Sequence, residues 1–272
     1  MSKETGNGQR PGYTPSPTLN RAARAGRPTE DQRLLETPKP EDQLFTHTDP
    51  WRVLRIMGEF VEGFDALADV HDAVTLFGSA RVKPDDPLYQ QAVETARLLG
   101  EAGFTIITGG GPGMMEAANQ GARAAGARSI GLNIQLPFEQ GINPYVDLAI
   151  EFHYFFVRKT MFVKYAQAFV IFPGGFGTLD ELFEALTLIQ TGKVYNFPVI
   201  LYGSAYWQGL LDWLKNTMLA QGKISAADLD LLILSDSPED VRDIITRCKA
   251  DQCWRTESEA QARDVTRQVL GH

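Results

Sequence analysis

Ala168-Phe169-Val170-Ile171-Phe172-Pro173-Gly174-Gly175-Phe176-Gly177-Thr178-Leu179-Asp180-Glu181 is the stretch whose reading decides the fold. Its first five residues are apolar without alternation, the pattern of a strand covered on both faces of a parallel sheet. Pro173-Gly174-Gly175 then makes a tight turn. From Thr178 to Leu186 the sequence predicts an amphipathic helix with Asp180 and Glu181 in its first turn, where the helix dipole favours acids. Gly174, Gly175 and Gly177 leave the backbone bare, so main-chain N–H groups can approach an anion closely. The helix start adds partial positive charge, and together these features make a phosphate cradle. The competing reading is a βα turn whose glycines serve geometry alone. Glu181 argues against it: a structural turn has no need of a carboxylate there, whereas a reaction beside a bound phosphate does.

Outward from this motif, strands and helices alternate. Toward the N-terminus, Asp49-Pro50 starts a helix whose apolar residues run from Trp51 to Phe64 at helical spacing. Ala73-Val74-Thr75-Leu76-Phe77 reads as a first strand ending in Gly78-Ser79-Ala80-Arg81. Ligand loops of α/β folds sit at such strand ends, which makes Ser79 and Arg81 candidates to hold a nucleotide. A helix follows from Asp86-Pro87, then a strand over Phe104-Thr105-Ile106-Ile107. Thr108-Gly109-Gly110-Gly111-Pro112-Gly113-Met114 is a second glycine turn feeding a helix. Gly109 and Gly111 fit the first two positions of the dinucleotide fingerprint, but Met114 stands where its third glycine belongs. NAD binding is therefore disfavoured, and close approach to a mononucleotide stays open.

Ser129–Ile134 and the neighbourhood of Leu148-Ala149-Ile150 read as two further strands. The segment Phe152 to Val163 reads as a mostly apolar helix carrying one cationic pair, Arg158-Lys159. Burying Arg158 alone is costly, so a carboxylate or a substrate anion must meet it. His153 reads as a packed or capped histidine rather than a catalyst. Pro198-Val199-Ile200-Leu201-Tyr202 and Leu231-Leu232-Ile233-Leu234 complete the strands. Ser237-Pro238 caps a helix with proline at its first position. The expectation is an α/β fold, a doubly wound parallel sheet. No composition break interrupts residues 46–250, so a single domain is expected there. Residues 1–45, rich in Gly, Pro, Thr, Arg and Gln, read as a disordered tail. Residues 251–272 read as a polar C-terminal extension, a frayed helix.

The chain has 272 residues, 43% of them hydrophobic and 22% charged, which suits a soluble globular protein with a sizeable core. A net charge of −8 argues against nucleic acid or a membrane surface as partner. No apolar run approaches a membrane span, and the first residues lack a signal-peptide hydrophobic region. Two cysteines, Cys248 and Cys253, match no zinc or redox spacing and read as reduced thiols in a cytoplasmic protein. Four scattered histidines make a histidine metal cluster improbable on sequence grounds.

Thr108-Gly109-Gly110-Gly111, Arg158-Lys159 and Pro173-Gly174-Gly175-Phe176-Gly177-Thr178-Leu179-Asp180-Glu181 together resemble the Lonely Guy (LOG) family, over roughly residues 70–250. The leading helix and the C-terminal extension resemble its longer, type II subgroup. The resemblance implies a Rossmann-like fold and phosphoribohydrolase chemistry, without cofactor or metal. That chemistry is cleavage of the N-glycosidic bond of cytokinin riboside 5′-monophosphates or AMP, giving free base and ribose 5-phosphate. It implies catalytic roles for Arg158 and Glu181. It also implies that the nucleoside 5′-monophosphate contacts Ser79, Gly109, Gly110, Gly111, Met114, Lys159, Gly174, Gly175, Gly177 and Thr178. A homodimer or a higher homo-oligomer, up to a hexamer, is implied too. A cation developing on the ribose is what a nearby carboxylate stabilises. Arg158 then either binds substrate or keeps Glu181 ionised. The alternative is a non-catalytic nucleotide- or cofactor-binding carrier on the same fold, since fold alone does not separate the two.

Overall fold

A computed structural model describes residues 28–36, 49–136, 141–250 and 256–270. Seven parallel strands form one sheet: β1 (Ala73–Phe77), β2 (Thr105–Thr108), β3 (Ser129–Ile134), β4 (Leu148–Phe152), β5 (Ala166–Ile171), β6 (Val199–Tyr202) and β7 (Leu232–Ser235). Their spatial order is β4-β3-β2-β1-β5-β6-β7. From β1 the chain winds outward to β4, then crosses back to place β5 on the other side of β1. The register pairs Phe77 with Ile171 at the carboxyl ends of β1 and β5. That reversal is the switch point, where the loops after the two strands diverge and open a crevice.

The doubly wound expectation holds, and the burial pattern gives the physical reason. Successive side chains of a strand face opposite sides. In β5, Ala168 and Val170 enter the core beneath α3 (Pro87–Glu101), α4 (Met114–Ala124) and α9 (Pro238–Lys249). Phe169 and Ile171 enter the opposite core, shared with α5 (Phe155–Tyr165), α6 (Phe176–Gln190) and α7 (Ser204–Trp213). Every residue of β1 is buried, so no polar alternation could be present.

Several boundaries differ from expectation. The strand β4 runs to Phe152, which pairs with Ile134, so α5 starts only at Phe155. The helix α6 starts at Phe176 with Gly175 as its N-cap, which puts Asp180 and Glu181 in the second turn rather than the first. Within the segment expected to be disordered, Glu30–Leu35 forms a short helix, α1. A capping box explains it: Thr29 Oγ1 accepts from Gln32 N, and Gln32 Oε1 accepts from Thr29 N. Glu30 also pairs with Arg55 of α2 (Asp49–Ala66) at 3.0 Å. The remainder of that tail lies outside the described residues.

The C-terminal helix α10 (Thr256–Leu270) is docked rather than frayed. Its Glu259 is 4% exposed and accepts from Asn196 N (2.9 Å) and Phe197 N (3.3 Å), while Ala262 is fully buried. A short helix α8 (Ala226–Leu229) that the sequence did not signal packs beside it. Cys248 is disulfide-bonded, not a reduced thiol. Thiol pairing depends on a Cα separation of about 4.4–6.8 Å, which sequence spacing does not determine. Cys253 lies outside the described residues.

Candidate active site

The crevice at the β1/β5 switch point is a cavity of about 670 Å³. Its walls come from the loop after β1 (Gly78, Ser79, Arg81), from Gly109 after β2, from Phe155 and Arg158 on α5, and from the Gly174–Glu181 segment. Four stretches distant in sequence thus meet at the carboxyl end of the central strands.

Glycine is required here by close approach. A β-carbon on Gly174 would lie 2.1 Å from Thr178 Oγ1, so the turn closes onto the first turn of α6 only without a side chain. A β-carbon on Gly109 would lie 2.6 Å from Arg158 Nη2 and 2.7 Å from Met115 Sδ. The loops are tied together by backbone: Ser79 N donates to Pro173 O, and Met114 N donates to Ser79 O, both at 3.0 Å. Because α6 begins at Phe176, its first amides have no carbonyl partner within the helix. No side chain of the Gly175 cap occupies them. Gly175, Phe176 and Gly177 themselves line the cavity wall, while Thr178 N is already bonded to Gly175 O at 3.0 Å.

Glu181 is 7% exposed, and its Oε2 is enclosed without a hydrogen-bond partner. Burial pushes its carboxyl up to about 7, against the opposing pull of Lys159 and Arg158. Arg158 Nε is likewise enclosed and unpartnered. Burial lowers the Arg158 guanidinium to about 10, with Glu181 working the other way. The guanidinium lies over the Phe162 ring at 5.0 Å from its centroid. Both residues line the one cavity, with Arg158 Nε and Glu181 Oε2 uncommitted among the described residues.

Two carboxylates set the start of α5. Glu59 accepts from Tyr154 N at 3.2 Å and from His153 N, and stands 2.9 Å from His153 Nδ1. Asp31 of α1 accepts from Phe155 N at 3.1 Å. Acidic groups at a helix N-terminus complement its dipole and satisfy its orphan amides. His153 is itself held by the Glu59 carboxylate, through its backbone N–H and Nδ1. Arg158 follows one turn later, so this cap fixes where its side chain starts.

Not every predicted contact reaches the cavity. Gly110 has φ +70° and packs on Gly131, its N–H bonded to Thr108 Oγ1 at 2.9 Å. Gly111 O accepts from Asn143 Nδ2 at 3.0 Å. Both glycines shape the loop rather than line the site. Met114 is 2% exposed beneath Gly78, and the neighbouring Met115 lines the cavity instead. Lys159 turns away, pairing with Asp180 (3.0 Å) and Glu184 (2.7 Å). Sequence reasoning missed Tyr206, whose hydroxyl donates to Gly174 O at 2.7 Å. It lies on α7, and only the fold brings it to the glycine turn. Phe176, 92% exposed on the cavity rim, sat within the motif but carried no sign of its orientation.

A protein-family model described as "Possible lysine decarboxylase" matches residues 115–245. A cytokinin riboside 5′-monophosphate phosphoribohydrolase of Mycobacterium tuberculosis is 30% identical over 164 residues, 59% of this chain and 85% of that protein. Its namesake in Mycobacterium marinum is 29% identical over 160 residues, 57% of this chain and 85% of the relative. Among solved structures, the molybdenum cofactor binding protein from Rippkaea orientalis aligns at 26% identity and a TM-score of 0.47, over 64% of this chain and 93% of that one. With the likeness to the Mycobacterium tuberculosis protein spanning 85% of that relative, and the two glycine turns meeting the Arg158-Lys159 helix at the carboxyl end of the central strands, the chain belongs to the Lonely Guy family.

Proposed function

We propose that this protein is a phosphoribohydrolase acting on nucleoside 5′-monophosphates, AMP or cytokinin riboside 5′-monophosphates. The observation that carries the reading is the Glu181 carboxylate, buried yet unpartnered, on the same cavity as the open amides at the start of α6. In this reading the amides of Gly175, Phe176 and Gly177 hold the 5′-phosphate. That remote contact orients the ribose and contributes binding energy to the reaction at C1′. As the C1′–N bond lengthens, positive charge develops on C1′ and the ring oxygen. Glu181 stabilises that charge and positions a water. The water oxygen bonds to C1′, and one of its protons ends on the released base. A carboxyl titrating near neutrality suits proton transfer at physiological pH. Arg158, with an uncommitted guanidinium, binds the substrate or keeps Glu181 ionised.

Lysine decarboxylation is not the chemistry proposed. A Schiff-base enzyme needs an amine that readily loses its proton. Burial lowers the Lys159 ammonium, but its bonds to Glu184 and Asp180 outweigh this and raise it above the usual lysine value. A carrier of nucleotide or cofactor would need the glycine amides but neither Arg158 nor Glu181. Incubation with AMP and with an N6-prenylated AMP, followed by chromatography, tests the proposal. Free base and ribose 5-phosphate are expected. Saturable binding without base release would favour the carrier.

A self-association surface accompanies this reading. On α2, Val53, Leu54, Met57 and Val61 are each more than half exposed, an apolar stripe suited to a second copy of the chain.

A further inference from the structure

We propose that Lys159 is a positioning residue for Glu181, not a substrate contact: its ammonium bridges Asp180 and Glu184 and pins the turn of α6 from which the Glu181 carboxylate enters the cavity. The proposal rests on the reading of Glu181 given above. Asp180 and Glu184 are four residues apart, so one ammonium can bridge them along a helix face, and Glu184, three residues after Glu181, also neighbours that carboxylate. The bridge spans two elements, from α5 to α6, at 3.0 and 2.7 Å. The Lys159 side chain is only 17% exposed and forms no part of the cavity wall, so its charge is committed to the helix rather than offered to a ligand.

The consequence is electrostatic as well as geometric. Asp180 and Glu184 place like charge beside Glu181, and a cation among them favours its ionised form. The groups facing Glu181 are Arg158 and Lys159 on α5, Asp180 and Glu184 on α6, and Arg81 and Tyr206 across the cavity. Of the two cations that hold Glu181 down, Lys159 exerts the larger effect. Lys159 therefore keeps a buried carboxylate available as an anion near neutral pH.

Carbon-13 NMR of carboxyl-labelled glutamate, assigned with Glu181→Gln, reads this directly in the free protein. In Lys159→Met, Glu181 is expected to titrate about one pH unit higher than in the wild type. In Lys159→Arg, which keeps the charge, it is expected to stay close to its original position. The acidic limb of kcat/KM for AMP should move with it, so that turnover falls at pH 7 and recovers at pH 9. If Lys159→Met does not fold, Glu184→Gln serves: removing one like charge should move Glu181 to lower pH. A Lys159→Met protein with an unmoved Glu181 titration overturns the proposal. So does one whose KM for AMP rises at every pH without a shift of the limb, since that marks a substrate contact. If the wild type releases no base from AMP, the assigned reaction fails, while the titration still decides the role of Lys159.

Discussion

Arg158 Nη2 occupies the space that a side chain on Gly109 would fill, 2.6 Å from the position of its β-carbon. The glycine turn after β2 thus serves the arginine of α5 as much as any ligand. Gly109→Ala is expected to displace the guanidinium while the buried sheet stays intact. A misplacement of about 1 Å can cost roughly 10²-fold in rate. Adenine release from AMP should fall on that order, with a melting temperature near that of the wild type. An unchanged rate would detach Arg158 from the reaction.

Glu181→Gln keeps the shape of the side chain and removes its charge. The rate constant kcat should fall about 10²-fold or more, roughly 3 kcal/mol of transition-state stabilisation. Affinity for AMP should change little if the phosphate is held by backbone amides. A folded Glu181→Gln protein releasing adenine at the wild-type rate would remove Glu181 from the mechanism.

The same carboxyl makes stability depend on pH. Burial raises Glu181 from 4.5 in the unfolded chain to about 7 in the folded one, so the folded state binds the extra proton between these values. Stability from this group is complete below pH 4.5 and is lost as pH rises toward 7, because the unfolded chain ionises first. Relative to Glu181→Gln, the wild type should therefore lose stability between those limits and level off above. Parallel urea titrations of the two proteins across pH 4 to 8 check the sign, and a difference that does not vary with pH would contradict it.

A phosphate cradle implies that the 5′-phosphate is needed for turnover. Adenosine should be processed far less efficiently than AMP, because its ribose is oriented by no remote contact. Comparable kcat/KM for the two would refute the cradle.

The exposed stripe on α2 predicts a dimer or larger assembly. Light scattering at micromolar concentration should give at least twice the 30.1 kDa chain mass. Val61→Asp should shift the population toward monomer by burying an unpaired charge in the interface. A monomeric wild type would leave the stripe without this partner.

Docking of the C-terminal helix includes one buried carboxylate, Glu259. Glu259→Ala strands the amides of Asn196 and Phe197 and is expected to cost about 1–3 kcal/mol. Thermal unfolding measures it, and a neutral result would mean that water replaces the carboxylate.

What the sequence alone determined was the alternation of elements and the identity of the glycine turns. Continuous apolar runs such as Ala168–Phe172 admit little other than strands buried on both faces, and glycines before a helix mark a turn by local sterics. Those are short-range properties of the chain. The tertiary structure alone decided which side of each residue faces the cavity. Arg158 and Lys159 are neighbours in sequence, yet about 100° of helical rotation sends one into the crevice and the other onto α6. Gly110 and Gly111 shape a loop, Tyr206 arrives from a distant helix, and Glu259 anchors a segment read as frayed. Each outcome depends on contacts between residues far apart in the chain, and local propensity carries no record of them.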